Sequence, residues 1–179
     1  MKLQLRWPLW RPLASIVLYE AGWYACVKAA ALGALGWGIA AACVSIAWQL
    51  AIGRHRIADL KLMAAAVGVG LVWDTFLVQA HLVTYASHVP FTAVAPVWML
   101  VLWAQLGAIL GEPLAWLHLR MWLASALSAI GGTASYAAGV RIGAVAFVSD
   151  TFTVPVLVLG WAVMVPALLV VARRLHLRR

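Results

Sequence analysis

Along this chain, apolar runs of about twenty residues alternate with short polar or glycine-containing breaks. The runs fall at 13–31, 34–52, 60–85, 93–110, 120–139 and 154–172. Inside each run the apolar positions are continuous. Barrel strands would instead alternate apolar and polar residues over short segments. A helix of about 20 apolar residues crosses about 30 Å of hydrocarbon and satisfies its backbone polar groups internally. The pattern therefore predicts an all-α membrane protein, a single domain over residues 1–179 folded as one bundle of six transmembrane helices. The third run is long enough to tilt. The break between the first two is slight, resting on Lys28 and the Gly33/Gly36 pair. The two three-helix halves share no motif that would mark an inverted repeat.

Composition agrees with the pattern. The chain is 66% hydrophobic and 10% charged, against about 25% charged in average soluble domains. So few charges could not cover a soluble surface without large exposed apolar patches. The formal net charge of +8 sets orientation. With six spans, Lys2, Arg6, Arg11, Arg54, Arg56, Lys61, Arg120, Arg173, Arg174, Arg178 and Arg179 share one side, and Lys28 and Arg141 the other. Such a bias places both termini in the cytoplasm of a bacterial inner membrane. Cations at span ends meet anionic lipid, so the positive charge implies membrane lipids as partners and no nucleic acid. Glu20 interrupts the first run, which therefore reads as a retained helix and not a signal peptide. Cys26 and Cys43 stand in separate runs without metal or redox spacing, and no cofactor is implied. Trp7, Trp10, Trp37, Trp98, Trp116 and Trp122 are expected at the membrane interfaces. Trp23, Trp48, Trp73, Trp103 and Trp161 are expected deeper, in core packing or lining a cavity.

Candidate chemistry rests on polar residues inside the runs. Asp74 falls near the middle of the third run, where an ionised carboxylate costs about 2.5–3.5 kcal/mol. If that run is one helix, Asp74, His81 and Tyr85 share a face, with Gly70 one turn below Asp74. The stripe reads as a proton or ligand site open to the outside, or as hydrogen bonding that locks helices together. Glu20 is a second carboxylate expected at similar depth, able to share protons with Asp74 if the helices touch. In the fifth run Gly131, Gly132, Ser135 and Gly139 form a small-residue series expected to pack helices closely. Ala21, Ala25 and Ala29 form a similar series in the first. Arg141, beyond the fifth run, is a candidate for a phosphate or carboxylate, or for a surface pair with Asp150. His88 is a further, lesser candidate.

GWYACV in the first run, WD in the third and GGTASYAAGVRIGAV at 131–145 resemble a family of small bacterial inner-membrane proteins, domain-of-unknown-function family 2878. The resemblance spans nearly the whole chain. It implies a membrane location without an established activity, and a lipid-modifying enzyme as a possible partner, since such genes keep that company. The family pattern often has Gln in place of Glu20, and Asn-His in place of Gly111 and Glu112, so it implies no role for those residues. The readings this leaves are a protein that binds or moves a lipidic or small amphipathic molecule with Asp74 as its ionisable site, a non-catalytic partner or anchor of a lipid-modifying enzyme, or a six-helix substrate-binding subunit of an importer. A membrane enzyme using Asp74, Glu20 and His81 lacks a visible nucleophile–base set.

Overall fold

The structure is a computed structural model describing residues 10–87 and 90–177. Lys2, Arg6, Trp7, His88, Arg178 and Arg179 lie outside them. Among the described residues six α-helices are formed: α1 (Trp10–Ala31), α2 (Leu35–Ile52), α3 (Arg56–Gln79), α4 (Val97–Leu110), α5 (Met121–Ile142) and α6 (Asp150–Leu177). A 3-10 turn, Ala115–Leu117, separates α4 from α5. Two short strands, β1 (Val83–Tyr85) and β2 (Val145–Phe147), follow α3 and α5 and pair antiparallel. By length and composition α2, α3 and α6 can each cross a membrane, and on that ground the chain is a membrane protein. Large apolar side chains such as Val72, Ile130, Leu159 and Val163 lie exposed on the outer faces, where a bilayer and not water would receive them.

Helix ends follow from backbone chemistry. Gly33 has φ +67° and closes α1, with Gly33 N–H donating to Ala30 O and Ala34 N–H to Ala29 O. Gly143, at φ +88°, closes α5 in the same way. Both are the left-handed stop that glycine adopts without cost. At the end of α3 the left-handed position is taken by His81, φ +53°, with His81 N–H to Val78 O and Leu82 N–H to Leu77 O. The 60–85 run is therefore not one helix. It stops at Gln79, and its last residues turn into β1. No Gly or Pro marks this stop in the sequence, which is why the apolar run concealed it.

The structure also contains a repeat that the sequence did not display. The units α3–β1–α4 and α5–β2–α6 share one arrangement. Gly70, Asp74, His81 and Thr84 in the first correspond, each 62 residues on, to Gly132, Tyr136, Gly143 and Ala146 in the second. His81 and Gly143 are the two left-handed stops, and Thr84 pairs with Ala146 at the centre of the ribbon. In both units the glycine receives a tryptophan of the following helix. A Cβ on Gly70 would overlap the Trp103 ring, and one on Gly132 would overlap Trp161. The first helix of each unit, α3 and α5, runs toward the ribbon, so the repeat is parallel and not inverted.

Within the second unit, Pro166 lies inside α6 and cannot donate to the carbonyl four residues earlier. That carbonyl, Ala162 O, accepts from Ser125 Oγ at 2.7 Å, and the adjacent Trp161 O accepts from Ser128 Oγ at 2.7 Å. Hydroxyls of α5 thus satisfy backbone freed in α6, as a dry environment requires. On the other flank α1 and α2 pack tightly, with Gly38 seated against Ala25 and Ala29, so two of the three alanines in that series do pack a helix.

The fold makes adjacent glycines opposite in sign. A Cβ at Gly131 meets open space, whereas one at Gly132 enters the Trp161 ring. Gly131→Ala is expected to stabilise the protein by up to about 1 kcal/mol through helix propensity. Gly132→Ala is expected to cost about 1–3 kcal/mol through overpacking. Thermal unfolding of the two variants in detergent checks both signs.

Candidate functional site around Asp74

Asp74 is completely buried. Because Gly70 lies one turn before it on the same face, the Trp103 ring of α4 can lie against the α3 backbone. Its Nε1–H then donates to Asp74 Oδ2 at 2.6 Å. The chain reversal at His81 brings β1 back along α3, and Tyr85 Oη donates to Asp74 Oδ1 at 2.6 Å. Tyr136 Oη of α5 donates to the same oxygen. An ionised carboxylate is acceptor-only, and here it meets three aromatic donors. Hydrogen bonds to a charged group are worth about 1.5–3 kcal/mol each, enough together to offset its desolvation. The site joins α3, β1, α4 and α5 through one side chain.

The structure revises the expected stripe. Asp74 and Tyr85 do meet, but through a strand and not along a helix face. His81 is exposed in the turn and makes no contact with the carboxylate; its role is conformational. Asp74 lies five residues, about 7.5 Å, from the end of α3 and not at its midpoint. Glu20 is exposed, midway along α1, and is not among the groups bonded to Asp74. Arg141 is exposed at the end of α5 and forms no ion pair with Asp150 among the described residues. Tyr136 and Trp103 were missed as ligands of Asp74. Their signal was a need for donors near a buried carboxylate, which no spacing rule resolves across 62 and 29 residues.

Behind Trp103, the Trp161 ring stacks at 5.0 Å with an interplanar angle of 1°. Trp161 in turn forms the wall of a cavity of about 480 Å³ between α1, α4, the 3-10 turn, α5 and α6. Tyr19, Trp23, Leu106 and Ser135 also line it, as does Gly131. A smaller void of about 40 Å³, bounded by Trp103 and Tyr136, shares those first four residues and Trp161, so the cavity leads toward the donors of Asp74. Of the small-residue series, Gly132 packs against α6, Gly139 faces Val145 of β2, and Gly131 opens onto the cavity. Trp98, expected at an interface, is fully buried and packs edge-on against Tyr85. Trp73, by contrast, lies in the α3–α6 seam, its ring over Gly160.

At the opposite end of the bundle a second polar group escaped the sequence reading. His176 Nε2 lies 3.1 Å from Asp59 Oδ1, and its Nδ1 lies 2.8 Å from Ala172 O. This ties the end of α6 to the start of α3. His118 Nε2 reaches Leu110 O at 2.9 Å, capping the last turn of α4. Burial holds the His118 imidazole below its ordinary pKa, partly opposed by that bond. Burial raises the Glu112 carboxyl in the same loop, opposed by the Arg54 backbone N–H.

These features define a helical membrane protein with a buried carboxylate saturated by aromatic donors beside an apolar cavity. The chain belongs to the family described as Protein of unknown function (DUF2878), whose model matches residues 12–167. No curated protein matches the chain, and no solved structure does.

An amide replaces this carboxylate poorly: its NH₂ would either face the Trp103 N–H, a second donor, or force the two tyrosine hydroxyls from donating to accepting, and the charge that strengthens all three bonds is lost. Asp74→Asn is expected to cost at least about 2 kcal/mol, and Tyr136→Phe somewhat less, read from thermal unfolding in detergent. Because the His118 pKa is lowered on folding, its neutral form contributes stability above the unfolded value, lost as pH falls through the folded one. The stability difference between pH 7 and pH 5 should shrink in His118→Gln, measured by the same melts.

Proposed function

We propose that this is a six-span protein of the bacterial inner membrane, both termini cytoplasmic, that binds a lipidic or small amphipathic molecule in the seam between α4 and α5. The cavity in that seam carries the reading. Its volume of about 480 Å³ falls in the range of ligand pockets, about 300–1,000 Å³, and its lining is mostly apolar and aromatic, with Glu20, Ser128 and Ser135 as polar members. The placement of cations at the ends of the apolar runs supports the orientation. α4, with 14 residues, is short for a full crossing, and a locally thinned bilayer accommodates it.

The repeat explains why a cavity exists there. In the α3–α6 seam, Trp73 fills the space over Gly160. The position 62 residues after Trp73 is Ser135, which leaves the equivalent α5–α4 seam unfilled. Asp74 is the ionisable group behind this seam, held by Tyr136 and Trp103, both at the inner end of the void. A bound molecule that displaced either donor would change the environment of the carboxylate.

Native mass spectrometry of gently extracted protein tests the reading. A lipidic adduct is expected on the unmodified chain and absent from Gly131→Phe, whose Cβ meets open space and whose ring would occupy the cavity. A chain free of adducts, or one whose adduct persists in Gly131→Phe, would defeat it.

A further inference from the structure

One charged side chain lies among the residues lining the cavity, and it is acidic. Glu20 sits halfway along α1, exposed to the cavity space, with no hydrogen bond or ion pair among the described residues. Among the described residues no lysine or arginine lines the cavity. The same wall carries Tyr19, Trp23, Trp116 and Trp161, aromatic faces of the kind that attract ammonium groups. A carboxylate in a low-dielectric region is disfavoured unless a counter-charge accompanies it. The described residues supply no such counter-charge at Glu20.

Resting on the binding reading above, we infer that the cavity selects a single-chain amphiphile bearing an ammonium group, with its apolar chain between α4 and α5 and its cation against Glu20 and the neighbouring aromatic rings. The argument is charge complementarity. A phosphate or carboxylate headgroup would meet Glu20 as a like charge, with no cation in the lining to compensate. A neutral headgroup would leave the Glu20 charge unbalanced. The volume suits one chain, and a two-chain phospholipid brings a phosphate that nothing in the cavity can hold. Gly131 and Ser135 keep the α5 wall low enough for the chain to lie along it.

The test uses the full-length protein in lipid nanodiscs, with hexadecylamine, hexadecanol or hexadecanoate added separately at equal concentration and retained adducts counted by native mass spectrometry at pH 7. The amine should be retained at least tenfold over the alcohol and the carboxylate. Glu20→Gln should abolish that preference without lowering the melting temperature, and Gly131→Phe should abolish retention of all three. Equal retention of the three probes, lost in Gly131→Phe, would overturn the charge selection and leave the cavity reading intact. Amine preference that survives in Glu20→Gln would likewise overturn it. Retention of none by the unmodified protein would overturn both readings.

Discussion

A carboxylate shut away from water must have its charge answered by fixed donors, and in this protein that demand falls on Asp74. Three aromatic donors converge on it from three different segments. Each needs its own local device. Trp103 needs the missing side chain at Gly70. Tyr85 needs the abrupt turn at His81 that sends the chain back as β1. Tyr136 needs the ribbon that keeps α5 beside α3. The ribbon is too short to be stable alone, so it depends on the same helices that it aligns. The buried charge and the architecture therefore hold each other in place.

The second organising device is indole against glycine. Trp103 on Gly70, Trp161 on Gly132 and Trp73 on Gly160 let large rings lie flat on neighbouring backbones. In a setting where apolar attraction between helices is weak, such close packing supplies much of the association. The repeat uses it twice in equivalent places. It breaks the symmetry where Ser135 replaces the counterpart of Trp73, and the unfilled seam becomes the cavity. The cavity is thus a consequence of one small residue in a position whose twin is the largest residue available.

Several of these features were legible in the residues. The apolar runs located five helices closely, and the glycine at position 33 located the first turn. Asp74 stood out because a charge in an apolar run is costly whatever surrounds it. The end of α3 was not legible, because histidine adopts the left-handed turn without a glycine to announce it, and Tyr85 was assigned to the right partner by the wrong geometry. The pairing of His176 with Asp59, 117 residues apart, left no local trace at all.

What the sequence determined by itself is the solvent it prefers, the number of helices and the presence of a buried acid, because these depend on hydrophobicity summed along continuous segments. What the tertiary structure decided is which groups answer that acid, which glycines carry rings and which lie open, and where the bundle fails to close. Those outcomes depend on distances between segments far apart in the chain, and a side chain's identity does not encode its neighbour until the backbone has brought the two together.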